Sequence, residues 1–203
     1  MDFNVLTEQI LKEAAALPTL DIIVTVTAIL YLILATRENI WCWFFGIISC
    51  ALWGYVAYFN YNLQIEALLQ IFYVGMSFYG IYQWKYGSKN KEELPITRMN
   101  LREHGGLISI GFLLTVLVGS LYATYSGTSF PYIDSFTTIF SVLITFLVIY
   151  KKLENWLYWI VIDAVYVWLY WQKEAYLFSV LFVVYVVIAF LGWLEWRQKK
   201  ATI

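Results

Sequence analysis

The sequence is short of charge, of histidine and of cysteine. Asp, Glu, Lys and Arg supply 13% of its residues, about half the share found in a soluble domain. A chain with so little charge cannot cover a water-exposed surface, and its net charge of −1 offers nucleic acid nothing to bind, so no nucleic-acid partner is expected. The single histidine, His104, stands in a charged loop, which argues against a His-based metal or hydrolase site. The two cysteines, Cys42 and Cys50, lie eight positions apart in one hydrophobic stretch. That spacing suits neither a helix-borne metal pair nor a CxxC motif, and both read as apolar filler. No nucleophile–base pair is visible, and residues 175–194 hold no lysine for a retinal-type chromophore. The sequence therefore points away from an enzyme and calls for no cofactor. No secretory signal is expected either: the first eighteen residues set Asp2, Glu8 and Glu13 against one Lys12, where a signal peptide starts basic. "TEQILKEAAAL" reads instead as a short amphipathic helix within an N-terminal segment, 1–18.

What is abundant is apolar and aromatic. The chain is 62% hydrophobic and 20% aromatic. A spanning helix needs about 20 mostly apolar residues, and seven runs qualify: 19–36, 38–59, 63–84, 107–125, 131–150, 154–171 and 175–196. The runs are too long, and too free of period-2 alternation, for a transmembrane barrel. The expected fold class is all-α, a polytopic multi-pass protein in a lipid bilayer. Orientation follows from Lys and Arg. With the N-terminus outside, Arg37, Lys85, Lys89, Lys91, Arg98, Arg102, Lys151, Lys152, Arg197, Lys199 and Lys200 are cytoplasmic, and only Lys12 and Lys173 are not. Eleven against two obeys the positive-inside rule and places the C-terminal tail, 197–203, in the cytoplasm.

The chain also repeats itself. "RENIWCWFFGI" opens the second span and "LENWLYWIVID" the sixth, 116 residues apart at Glu-Asn, where Asn39 or Asn155 can cap a helix. "YGIYQW" and "LGWLEW" close the third and seventh spans as Gly-x-x-x-Trp, 112 residues apart. Two three-helix units, 19–84 and 131–196, are expected, separated by a basic cytoplasmic loop, 85–106, and a linker helix, 107–125. The odd middle helix brings both units in from the same side, as parallel repeats of the kind found in transporters.

Ionisable groups inside a span cost at least about 2.5 kcal/mol each. Asp21 and Glu66 lie within about a turn of their helix ends and read as interfacial. Asp134 stands in the first turn of the fifth span, where a carboxylate suits the helix dipole. Asp163 lies two turns into its helix. Trp156, Trp159, Asp163, Tyr166 and Tyr170 share one helical face. Two readings are open for it: an acid braced by a neighbouring helix, or the counter-charge in an aromatic box that attracts cations by about 0.5–2 kcal/mol. On the third span Gln70, Tyr73 and Ser77 share a face that can bond hydroxyls or act as helix–helix glue.

These stretches resemble the PnuC family of bacterial vitamin transporters over nearly the whole length. The resemblance rests on "ENIWCWFFGI", "LLQIFY", Gly-x-x-x-Trp at 80–84, Pro-x-x-Asp-Ser at 131–135 and "ENWLYWIVID" with its Trp-x-x-Trp pair. It implies a three-plus-one-plus-three fold similar to the SWEET sugar transporters. It also implies uptake of nicotinamide riboside across the bacterial inner membrane by facilitated diffusion, with a cytosolic kinase trapping the product. Thiamine is the alternative substrate, proton coupling the alternative mechanism, and relatives of the family also carry uncharged riboflavin. The aromatic surface permits a homotrimer. Carried onto this chain, the implied substrate-binding residues are Trp156, Trp159, Asp163 and Gln70, joined by Asn155, Tyr73, Tyr166 and Asp134. The chain departs from the family in its load of Trp and Tyr on the sixth span.

Overall fold

The computed structural model describes residues 3–61, 64–88, 93–125 and 127–202. Asn62 and Leu63 of the outer hairpin and residues 89–92 of the long loop, with Lys89 and Lys91, lie outside that description. Among the described residues eight α-helices follow one another: α1 (Phe3–Ala16), α2 (Thr19–Thr36), α3 (Trp41–Phe59), α4 (Gln64–Tyr86), α5 (Leu101–Tyr125), α6 (Pro131–Ile149), α7 (Asn155–Gln172) and α8 (Tyr176–Thr202). Five of them, α2, α3, α5, α6 and α8, are long and apolar enough to cross a membrane. The other two expected spans, α4 and α7, are long enough at 23 and 18 residues. Of these, α4 carries Glu66, Gln70 and Ser77, and α7 carries Asn155, Asp163 and seven Trp or Tyr. Most of the expected site residues sit on these two helices.

The chain divides into two compact units. The first holds residues 1–95 and 194–203, and the second residues 96–193. In the first, α3 packs between α2 and α4. Trp43 is buried there, edge-on to Tyr31 at 6.0 Å and Trp84 at 5.3 Å, and it lies on Gly80, where an added Cβ would come within 2.5 Å of the indole. Only glycine admits a ring so close. Trp196 donates its indole N–H to the carbonyl of Ala35 (3.1 Å), and Lys199 pairs with Glu38 (3.1 Å). In the second unit, α6 packs between α5 and α7. Trp156 lies on Gly192 of α8, with 2.8 Å between the indole and an added Cβ. Each unit therefore seats a tryptophan of one helix on a glycine of another.

Helix ends carry a second shared pattern. Behind α2, α6 and α7 the chain turns through the left-handed region at Glu38, Lys151 and Glu174. The following residue reaches back to a carbonyl five positions earlier, as Asn39 N–H to Leu34 (2.9 Å), Lys152 to Leu147 (2.8 Å) and Ala175 to Tyr170 (3.0 Å). These are Schellman closures. Glu38 and Glu154 consequently play different parts: Glu38 is the left-handed residue behind α2, whereas Glu154 immediately precedes α7. Asn39 accepts the Trp41 N–H (3.0 Å) and caps as expected. Asn155 does not cap; it is the first residue of α7 and donates to the carbonyl of Lys152 (2.7 Å). The Glu-Asn match, 116 residues apart, is not a structural equivalence. The tryptophan–glycine seats are 113 and 112 residues apart, which removes most of the expected length difference between copies.

A third correspondence lies at the helix starts. Pro18-x-x-Asp21 opens α2 and Pro131-x-x-Asp134 opens α6, 113 residues apart. Asp21 is buried, and it accepts the phenol O–H of Tyr61 at 2.6 Å, just beyond α3. This bond, ahead of burial, holds the Tyr61 phenol above its ordinary pKa. Asp134 pairs with Lys173, just beyond α7, at 3.1 Å and accepts from Thr128. In each unit an acid one turn into a helix is held by the turn that follows the next helix.

The segment before α5 is docked rather than loose. Ile96 is buried. Thr97 donates to Lys151 O (3.0 Å) and accepts from Leu153 N–H (2.9 Å), and Glu154 accepts the Met99 N–H (2.8 Å). Asn100 and Glu103 then form a reciprocal capping box, with Glu103 N–H to Asn100 Oδ1 at 2.9 Å and Asn100 N–H to Glu103 Oε2 at 2.6 Å. The box starts α5 six residues ahead of the apolar run.

Candidate functional site

In the second unit one face of α7 carries Trp156, Trp159, Asp163 and Tyr166, gathered as their spacing predicts. Trp159 and Tyr166 pack against Phe140, Ile144 and Leu147 of α6 and Ile162 of α7, while Trp156 lies on Gly192 of α8. Tyr166 and Tyr170 stack with Phe182 at 4.5 and 5.3 Å, and Tyr170 also stacks with Phe178 at 5.5 Å. The rings are thus partly engaged with one another. Phe178 and Phe182 were not expected at the site, although their four-residue spacing on α8 mirrors that of Tyr166 and Tyr170 on α7.

Asp163 sits among these groups and is 5% exposed. Among the described residues no side chain or backbone group hydrogen-bonds to it and no cation pairs with it. Tyr185 on α8 lies within its electrostatic reach. Of the two readings open for this acid, a brace from a neighbouring helix is not seen among the described residues. A carboxylate withdrawn from water in a span needs a partner, and this one shares a helical face with Trp156, Trp159 and Tyr166, side chains whose ring faces attract cations. At the start of the same helix, Asn155 is fully buried. Its Nδ2 is committed to Lys152 O, and its Oδ1 meets no donor among the described residues.

Asp134 stands elsewhere. Its partner Lys173 follows the last turn of α7, ten residues beyond Asp163, roughly 15 Å of helix rise away.

In the first unit Gln70 is buried on α4 and donates Nε2 to Glu66 Oε1 at 2.8 Å, which also accepts the Trp53 indole N–H at 3.1 Å. Glu66, expected to be interfacial, is thus bonded within the protein; its i, i+4 spacing to Gln70 was the available signal. Tyr73 is half-buried, and its carbonyl accepts the Ser77 hydroxyl (2.9 Å). No group of three or more metal-ligating side chains occurs among the described residues.

Long apolar helices, with two less apolar ones bearing polar and aromatic side chains, define a polytopic membrane protein built to handle a polar solute. The model of the nicotinamide mononucleotide transporter family matches residues 18–198, and the chain belongs to that family. It is similar to the nicotinamide riboside transporter PnuC of Escherichia coli (strain K12), at 28% identity over 85% of this chain and 82% of that one. It is also similar to the PnuC of Neisseria mucosa (25%; 87% and 71%) and to the riboflavin/roseoflavin transporter RibM of Streptomyces davaonensis (24%; 89% and 85%). In fold it resembles a crystal structure of the vitamin B3 transporter PnuC, with a TM-score of 0.69 and 22% identity over 95% of this chain and 88% of that one.

Proposed function

We propose that the chain takes up nicotinamide riboside across the bacterial inner membrane by facilitated diffusion. The observation that carries this reading is Asp163, a buried carboxylate that meets no partner among the described residues and shares one face of α7 with Trp156, Trp159 and Tyr166. A permanently cationic ring supplies both missing elements, a counter-charge for the acid and a face for the rings. The names of the PnuC relatives support the pyridinium riboside; thiamine, with its thiazolium cation, is the alternative. Riboflavin, the substrate named for one relative, carries no charge and would leave Asp163 unpaired. Gln70, Tyr73 and Asn155 serve the hydroxyl and amide groups of the substrate, and Asp134 stands on its route. Seven helices span the bilayer, with the N-terminus outside and the C-terminus cytoplasmic, as two parallel repeats (19–84 and 131–196) around the linker helix 107–125. The tryptophan–glycine seats and the two Pro-x-x-Asp starts support the repeat. A cytosolic kinase would trap the product, and the exposed apolar helix faces permit a homotrimer.

Purified protein in liposomes without kinase should equilibrate labelled nicotinamide riboside down its gradient, indifferent to an uncoupler. Asp163→Asn should raise KM for the cation by about thirtyfold or more, since removing one partner of a desolvated charge pair costs about 2–5 kcal/mol. Liposomes that equilibrate neither nicotinamide riboside nor thiamine would sink the proposal. Uncoupler-sensitive accumulation would replace it with proton coupling through Asp163 or Asp134.

A further inference from the structure

The hydrogen bonds around Glu66 decide which end of the Gln70 amide is left for a ligand. Glu66 Oε1 faces two N–H donors, Nε2 of Gln70 at 2.8 Å and Nε1 of Trp53 at 3.1 Å. An indole N–H can only donate, so this oxygen acts as an acceptor. The reverse orientation of Gln70 would set its carbonyl against a carboxyl oxygen. With Nε2 committed, Oε1 of Gln70 is left over, and it meets no donor among the described residues. The side chain has little freedom to turn away. Gln70 is 8% exposed, and α3 passes so close behind it that an added Cβ at Gly54 would lie 3.1 Å from its own Cβ.

We infer that Glu66 is a positioning residue, holding Gln70 in the one orientation that presents a hydrogen-bond acceptor to the substrate. This part of the site then selects a hydroxyl or amide N–H donor, the chemistry of a sugar ring. The inference rests on the placement of Gln70 in the substrate site under the proposed function. Glu66 acts through its acceptor oxygen and not through its charge. A glutamine at position 66 still offers a carbonyl to both donors, whereas methionine, of similar volume, offers none.

The test uses reconstituted full-length variants, with uptake normalised to inserted protein and two probes: nicotinamide riboside and its 2′,3′-dideoxy analogue. Gln70→Ala and Glu66→Met should each raise KM for the riboside about tenfold at unchanged Vmax, the effect of one hydrogen bond of about 1–1.5 kcal/mol. Both should also lose the wild-type preference for the riboside over the dideoxy analogue, a loss that a purely structural defect would not produce. Glu66→Gln should stay within about twofold of wild type. A wild-type KM in Gln70→Ala would overturn the placement of Gln70, and this inference with it. A defective Gln70→Ala beside a wild-type Glu66→Met would overturn the role of Glu66 alone. A Glu66→Gln variant as impaired as Glu66→Met would show that the charge, and not the orientation, is what matters. If Glu66→Met fails to insert, Glu66→Ala, which also offers neither donor an acceptor, takes its place in these comparisons.

Discussion

Adding one methyl group at Gly192 tests whether the tryptophan seat sets both stability and substrate binding. An alanine Cβ there would lie 2.8 Å from Cδ2 and Cε2 of Trp156. Carbon atoms in good contact are about 3.5–4.0 Å apart, so the ring and helix must separate by roughly 0.7 Å or more. Trp156 is 2% exposed, and a rigid bicyclic ring in that setting cannot move alone. Overpacking of this kind costs about 1–3 kcal/mol, offset by about 1 kcal/mol from the better helix propensity of alanine. The net expectation for Gly192→Ala is a loss of about 0–2 kcal/mol, seen as a melting point in detergent a few degrees lower. KM should rise as well, because the displaced indole belongs to the proposed site. Gly80→Ala meets Trp43 at 2.5 Å and should cost at least as much. Gly75 has nothing within 4 Å of an added Cβ, so Gly75→Ala keeps the propensity gain and should melt at or slightly above wild type. A Gly192→Ala protein that melts no lower than the Gly75→Ala control and transports with unchanged KM would refute the argument.

Acid titration supplies another test. The Asn100 backbone N–H, and then Lys152, hold the Glu103 carboxyl below its ordinary value of 4.5. A carboxyl depressed in the folded state contributes stability above its unfolded value and loses it as pH falls through the folded one. The melting point should therefore drop below about pH 4.5, and Glu103→Gln should flatten that part of the curve; an unchanged acid limb would rule the box out as its source. The Asp134–Lys173 pair is partly exposed, with side chains 19% and 40% accessible, so a double-mutant cycle on Asp134→Asn and Lys173→Met should return about 1 kcal/mol or less. A much larger coupling, or one indifferent to salt, would contradict an exposed tie.

Hydropathy located the long helices because the apolar runs that bilayer thickness demands are also the lengths over which these helices form. Thr19–Thr36 coincides with its expected span, and Pro131–Ile149 and Asn155–Gln172 lie within one residue of theirs. It missed the early start of α5, where polar Asn100 and Glu103 build the helix end through side-chain bonds that no apolar count detects. The face of α7 was legible from the 3.6-residue period. The filling of that face by Phe178 and Phe182 was not, because it depends on which helices are neighbours. The patterns that the two units share were visible in part. Glu-Asn matched as letters but not as structure, whereas Pro-x-x-Asp, which does correspond, was split between two separate readings of Asp21 and Asp134. Asp21 and Glu66 were judged by their distance from helix ends; Tyr61 and Trp53, which determine their surroundings, come from other segments.

The docked segment ahead of α5 has a consequence for how the chain is made. Met99 donates to Glu154 across 55 residues of sequence, and Thr97 bonds to the turn that contains Lys151 and Leu153. Chains emerge from the ribosome N-terminal end first, so α5 and α6 must be synthesised, and the following turn must emerge, before these bonds of Thr97 and Met99 have a partner. Until then the two backbone bonds of Thr97 and the bond from Met99 to the Glu154 carboxylate are unmade, and a chain interrupted before Leu153 leaves this seam open.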